Sequence, residues 1–248
     1  MSTDQRTPPS ENSTCGHSTS EHLPVNTYLR IRSVADRVIA AIALIVLSPL
    51  TALLGQRIHR HDQGPRFVAV PRTGKNGETF NMWKLRSMKV NPGGSSLTSA
   101  RDDRITPVGH TLRKYHLDEI PQLWNVVRGE MTLLGPRPEA PDYVDQSSEQ
   151  WRQVLAAAPG IAGPTQLVVG EWELDVITKD QTGTAYRDEV LPVKLAIDAW
   201  YVRNASIATD LRVGISLLAH LAGKGPGPVA KQIRAAVPAA SKIAAHNS

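Results

Sequence analysis

Cysteine is all but missing from this chain. One, Cys15, occurs in 248 residues, so no internal disulfide can form and a reducing compartment fits. Nothing directly behind Met1 has the basic start, apolar centre and small-residue cleavage site of a secretory signal. There is no repeat of fixed period, no zinc-ligand spacing, no helix-turn-helix and no RNP-like aromatic motif. A nucleic-acid binder would therefore rest on basic charge alone, and nucleic acid is not expected as a partner. No serine or histidine stands in a nucleophile-elbow context, so hydrolytic triads are not indicated.

Long apolar runs are scarce too, and there is only one. This suits one soluble domain of ordinary size plus a membrane element. Lys and Arg number 28 against 23 Asp and Glu, for a net charge of +5 and a pI near 9.5. That balance favours anionic partners, whether anionic lipid or phosphorylated substrates. Residues 1–27 are rich in Ser, Thr and Pro and read as a disordered leader. Residues 223–248 are Ala-rich, basic and interrupted by Pro and Gly, and read as a flexible tail.

Between Arg37 and Arg57 lie 19 uncharged residues. As a straight helix they would extend about 28 Å, close to the thickness of a bilayer's hydrocarbon core. Pro49 lies inside the run. It has no backbone N–H and its ring clashes with the preceding turn, which predicts a kink. Ser48 can bond a carbonyl freed at that break. Arg30, Arg32 and Arg37 precede the run, and Arg57, Arg60 and Arg66 follow it. The positive-inside rule then places both ends on the cytoplasmic side. A segment at 28–60 that enters, bends at Ser48-Pro49 and leaves on the same side satisfies both observations better than a kinked spanning helix.

Residues 66–90 read as a β-hairpin around Asn76-Gly77. Lys84 and Arg86, two apart, are expected on one strand face. Thr106-Pro107 starts a short helix towards Lys114. A second helix is expected from Asp118, through Pro121, to Gly129. Two carboxylates at a helix start ordinarily cap it and complement its dipole. Here they stand among Arg113, Lys114, Arg128 and Arg137, the last held between Pro136 and Pro138. Adjacent carboxylates among cations suit a magnesium-assisted reaction of a diphosphate.

The stretch "RITPVGHTLRKYHLDEIPQLWNVVRGEMTLLGPRPE", with "KNGETFNMWKLRSM" and the Ser-Pro segment before it, resembles the bacterial sugar transferases. More narrowly, it is similar to the monotopic polyprenyl-phosphate phosphoglycosyl transferases, over roughly Arg30 to Ala222. The resemblance implies an α/β fold, mostly helical with a small β-hairpin. It implies a re-entrant, Ser-Pro-broken helix and a cytoplasmic catalytic domain at 61–222, on the cytoplasmic face of a bacterial inner membrane. The implied reaction moves a sugar 1-phosphate from a UDP-sugar to polyprenyl phosphate. Asp118 is the implied nucleophile and Glu119, with Asp118, the implied Mg²⁺ ligand. Arg137 is the first candidate phosphate clamp, with Arg113, Lys84 and Arg86 behind it. Membrane lipid, a second copy of the chain and downstream glycosyltransferases are the further partners implied.

The chain departs from the family at "APGIAGPTQLVVGEW" (Ala158–Trp172), where members often carry "KPGITGWAQVNGR". That puts the sugar and nucleotide contacts of this segment in question and leaves the dyad untouched. A non-catalytic scaffold of a polysaccharide assembly complex is the alternative reading, and an intact dyad argues against it. Farther on, Leu211, Ile215, Leu218 and Ala222 form an apolar stripe at helical spacing, suited to a protein or a lipid surface.

Overall fold

The computed structural model describes residues 27–90, 93, 97–99, 102–180, 182–241 and 243. The leader, apart from Thr27, and most of the loop at 91–100 lie outside the described residues. The first element is one long helix, α1 (Thr27–Asp62). It continues through Pro49 instead of stopping there. Pro49 has no N–H for the carbonyl of Ile45, and the Ser48 hydroxyl donates to that carbonyl in its place at 2.7 Å. Thr51 adds a side-chain bond to the carbonyl of Leu47 at 2.9 Å. The Ser48 hydroxyl thus repairs what the proline removes.

One face of α1 packs on the rest of the chain along its whole length. Leu29 meets Ala157 and Ala205. Ala40 packs with Met82, Val126 and Met131, and Ile58 with Leu85 and Leu112. The other face carries Ile31, Val34, Val38, Ile42, Ile45, Val46 and Leu53, each more than half exposed. Both ends are fastened to the same domain by ion pairs, the first largely buried and the second partly exposed. Near the start, Arg32 donates to Asp210 (2.6 Å) and to the Tyr201 hydroxyl (2.7 Å). At the end, Asp62 accepts from Arg86 Nη1 at 2.6 Å. Arg32 therefore serves as a fastening, not as a free flanking charge.

The hairpin forms as expected. Strands β1 (Phe67–Thr73) and β2 (Thr79–Leu85) pair antiparallel, Phe67 opposite Leu85 and Thr73 opposite Thr79. Asn76 and Gly77 both turn with positive φ, 58° and 81°, a conformation that Asn and Gly tolerate best. Helix α2 (Pro107–Lys114) begins at Thr106, whose hydroxyl accepts from the N–H of Gly109 at 3.0 Å. Helix α3 (Gln122–Arg128) ends at Gly129. A parallel pair, β3 (Thr132–Leu134) with β4 (Gly160–Ala162), goes beyond the expected hairpin. Its close approach needs Gly160, where a Cβ would sit 2.1 Å from the nitrogen of Gly135.

The main core lies among α4 (Glu149–Leu155), α5 (Pro164–Lys179), α6 (Leu191–Asn204), α7 (Ile207–Leu221) and α8 (Gly227–Ala236). The last of these corrects the expected flexible tail. Val229, Ile233 and Val237, four apart, are buried in the main core, and Ala240 and Ile243 follow them in. An apolar stripe at helical spacing outweighs the Pro and Gly composition. On α7 the expected stripe faces outward, with Ile207, Leu211, Ile215, Leu218 and Leu221 each about 60–70% exposed.

Candidate active site

The dyad does not cap a helix. Asp118 and Glu119 occupy a separate 3₁₀ turn (Leu117–Glu119), entered through His116 at φ 52° and closed before α3 begins. This left-handed residue ends the run from α2 and turns both carboxylates inward. They are buried, at 5% and 9% exposure, against a cavity of about 510 Å³. That volume lies within the usual range for small-molecule sites.

Three elements bring cations to this turn. β2 supplies Lys84, whose Nζ donates to Glu119 Oε1 at 3.1 Å. The strand is held in place by Asn125 of α3, which accepts from the N–H of Trp83 (3.0 Å) and donates to the carbonyl of Asn81 (2.8 Å). The Pro136–Pro138 turn after β3 supplies Arg137. Its Nη2 donates to Glu119 Oε1 at 2.6 Å and its Nη1 to the carbonyl of Ile161 at 3.1 Å. Helix α2 supplies Arg113, whose Nε donates to Ser87 Oγ at 2.9 Å. This requires α2 to lie tight on Ser87, and Gly109 permits it: a Cβ there would be 1.9 Å from the Ser87 carbonyl oxygen.

The two carboxylates are treated unequally. Burial pushes the Glu119 carboxyl up, but the charges and hydrogen bonds of Arg137 and Lys84 outweigh it and hold it well below the ordinary range. It is ionised and locked in place. Asp118 accepts no hydrogen bond from any described residue, and its ion-pair contact is with Lys84 at 4.0 Å. Of the two carboxylates, Asp118 is the one that is buried, near a cation and unclasped.

The expected cluster is only partly assembled. Asp118, Glu119, Lys84, Arg113 and Arg137 all line the cavity. Arg86 does not, which corrects its place among the substrate-binding candidates. β2 ends at Leu85, so the strand alternation that would pair Arg86 with Lys84 has lapsed. The Arg86 guanidinium turns to Asp62 and to the carbonyls of Pro65 and Met88. Lys114 is exposed, and Arg128 is exposed and paired with Glu130. Sequence reasoning missed Arg72, Glu139, Glu173, Tyr186 and Lys194, which complete the wall. One signal was present: a lysine and an aspartate four apart, Lys194 and Asp198, interrupt an otherwise apolar helix.

Against that geometry, the family profile described as bacterial sugar transferase matches residues 27–222. The chain belongs to the bacterial sugar transferase family. The chain is 33% identical to the undecaprenyl-phosphate glucose phosphotransferase of Komagataeibacter xylinus, over 72% of the chain and 33% of that protein. It is 30% identical to the UDP-glucose:undecaprenyl-phosphate glucose-1-phosphate transferase of Escherichia coli, over 74% of the chain and 38% of that protein. With the exopolysaccharide production protein ExoY of Sinorhizobium fredii it shares 34% identity, over 71% of the chain and 78% of the relative. The chain thus spans well under half the length of the first two.

Proposed function

We propose that this chain transfers a sugar 1-phosphate from a UDP-sugar to polyprenyl (undecaprenyl) phosphate, yielding a polyprenyl diphosphate sugar and UMP. The step would begin synthesis of an exopolysaccharide, capsule, O-antigen or glycoprotein glycan at the cytoplasmic face of a bacterial inner membrane. The observation that carries the reading is the unequal dyad, a free Asp118 beside a clamped Glu119. A scaffold would have no use for it.

In the first half-reaction an Asp118 carboxylate oxygen attacks the β-phosphorus of the donor. A P–O bond forms to Asp118 while the bond from that phosphorus to the bridging oxygen breaks, and UMP leaves with the electron pair. In the second, a phosphate oxygen of the polyprenyl phosphate attacks the same phosphorus. The bond to Asp118 breaks and the carboxylate is regenerated, so the kinetics are ping-pong. Arg113, whose Nε is taken by Ser87 and whose remaining N–H groups are available, binds donor phosphate oxygens in a fork. Arg137 spends two nitrogens on Glu119 and Ile161, so its first task is to position Glu119, and its remaining N–H groups serve the diphosphate.

The residues fit Mg²⁺, which typically takes one or two carboxylates together with substrate phosphates. Glu119 Oε2 and the Asp118 carboxylate accept no hydrogen bond from any described residue and would hold it. Bound there, the ion would supply positive charge to neutralise the diphosphate and the departing UMP.

Supporting a re-entrant α1 is the attachment of both its ends to one domain. A polar domain cannot hold both ends of a segment that crosses the bilayer once. The exposed apolar face of α1 is then the lipid-facing one, with each aliphatic side chain contributing roughly 1.5–3 kcal/mol when it leaves water. The α7 stripe is a second lipid-facing surface on the same reading.

The test is a screen of UDP-hexoses, UDP-N-acetylhexosamines and UDP-diaminosugars with undecaprenyl phosphate and the full chain in nanodiscs, reading UMP release. Release with at least one donor, dependent on the lipid phosphate for turnover, is expected. No release from any of them by folded protein would overturn the proposal.

A further inference from the structure

Beyond the dyad, the cavity has a second group of charged side chains that the transfer chemistry leaves without a task. Glu139 follows the Pro-Arg-Pro turn. Its Oε1 pairs with Lys194 at 2.6 Å, and its Oε2 accepts from the Tyr186 hydroxyl at 2.8 Å. Lys194 also pairs with Glu173 at 2.9 Å. Arg72 lines the same wall, its buried Nε without a hydrogen-bond partner and its charge felt by Glu139. Charge separates this group from its neighbour. The dyad side sets two carboxylates against Lys84, Arg113 and Arg137 and has a cationic surplus that suits phosphate. The second side sets Glu139 and Glu173 against Lys194 and Arg72 and is balanced. It offers fixed acceptors and donors without drawing phosphate.

We propose that Arg72, Glu139 and Glu173, braced by Tyr186 and Lys194, form the part of the cavity that recognises the hydroxyl groups of the donor's sugar. This rests on the transfer reaction proposed above. Asp118 must reach the phosphorus that bears the sugar, so the sugar lies one phosphate oxygen from the dyad. The balanced group begins two residues beyond Arg137, and Arg137 feels the charges of both Glu173 and Glu139. The uridine lies a further phosphate away. Carboxylates take hydroxyl donors, a guanidinium gives to hydroxyl oxygens, and Lys194 spends its three N–H groups holding Glu139, Glu173 and Tyr186 in place. Tyr143, packed edge-on to Tyr186 at 5.1 Å, supplies an aromatic wall. Glu173 stands on α5, just after the segment in which this chain departs from its family pattern. A local replacement of the sugar contacts accounts for that departure.

Lys194 is buried too deeply for a clean substitution, so Glu173 at the cavity wall is the residue to change. Direct binding of UMP and of a panel of UDP-sugars to the full chain in nanodiscs separates the possibilities, with melting curves to establish folding. Glu173→Gln should weaken the preferred UDP-sugar about 10-fold or more, the scale for a lost hydroxyl partner, and alter the ranking of epimeric donors. UMP affinity should stay within about twofold of the unsubstituted chain, a change below the tenfold that marks 1.4 kcal/mol. Arg72→Gln should repeat the pattern and carries the test if Glu173→Gln does not fold. Equal losses for UMP and UDP-sugar would make this a nucleoside site and overturn the proposal, as would no loss for either. Because binding is read apart from turnover, a chain that binds sugars through Glu173 yet releases no UMP would remove the transfer reaction and leave this assignment standing.

Discussion

Arg137 donates to Glu119 across 2.6 Å, and that contact leaves Asp118 the unclasped one of two adjacent carboxylates. Glu119 is fixed by two cations and Asp118 by none at hydrogen-bonding distance. The division of labour is testable one residue at a time.

Asp118→Asn keeps the size of the side chain and removes its nucleophilicity. Turnover should fall by several orders of magnitude with the melting temperature nearly unchanged. Intact-mass spectrometry of the unsubstituted chain with UDP-sugar and no lipid should find a sugar-phosphate adduct on Asp118. Full activity of Asp118→Asn, or an adduct elsewhere, would refute the assignment.

Arg113 and Arg137 should separate kinetically. On the proposed reaction, Arg113→Gln would remove a charged hydrogen bond to the donor, on the order of 1.5–3 kcal/mol, and should raise KM for the UDP-sugar about 10- to 100-fold. Arg137→Gln releases Glu119 and should act chiefly on kcat, with a loss of roughly 10²–10³. Steady-state kinetics with both substrates varied would decide. Equal effects on KM alone would show that the two arginines do the same work.

Gly109→Ala places a methyl group where the Ser87 carbonyl now sits. Helix α2 must retreat, at about 1–3 kcal/mol for such overpacking, and carries Arg113 away with it. A lower melting temperature accompanied by a raised donor KM is expected, and calorimetry with kinetics would measure both.

Asp198 is fully buried beside Lys194, Glu139 and Glu173. Burial pushes its carboxyl well above the ordinary range, only partly offset by Lys194. A folded carboxyl that keeps its proton to higher pH than the unfolded one adds stability below about pH 4 and loses it as pH rises. Asp198→Asn should therefore raise the melting temperature near pH 8, by about 2–4 °C for each kcal/mol gained. The gain should shrink towards pH 4. A gain independent of pH would mean that the carboxyl does not titrate in this way.

Same-side attachment of α1 can be read from labelling. With Cys15→Ser as background, Thr27→Cys and Arg66→Cys should both react from one side of sealed vesicles. Reaction from opposite sides would rule out the re-entrant path. For α7, Leu211→Ser with Leu218→Ser should reduce membrane retention. Truncation within α7 would be a poor probe, because α8 and its buried Ile233 belong to the core.

The legible part of the site was the local part. Asp118, Glu119, Arg113 and Arg137 lie within 25 consecutive residues, and their charges were readable against apolar surroundings. Arg86 misled because alternation holds only while the strand lasts, and β2 ends one residue earlier. Glu139, Glu173 and Lys194 meet only through packing of α5 and α6 on the Pro-Arg-Pro turn, a contact without local periodicity. In the fold, the hairpin and the Thr106 cap were visible because turn and cap chemistry is short-range. The tail was misjudged because composition was weighed above the spacing of Val229, Ile233 and Val237.

The fastenings at the two ends of α1, Arg32 to Asp210 and Arg86 to Asp62, make the helix and the domain a single lever. The helix cannot tilt without the domain tilting too. On the re-entrant reading, a thicker or thinner leaflet would raise or lower the dyad relative to the lipid headgroups. Bilayer thickness would then act on how easily the lipid phosphate reaches Asp118, with no change inside the cavity itself.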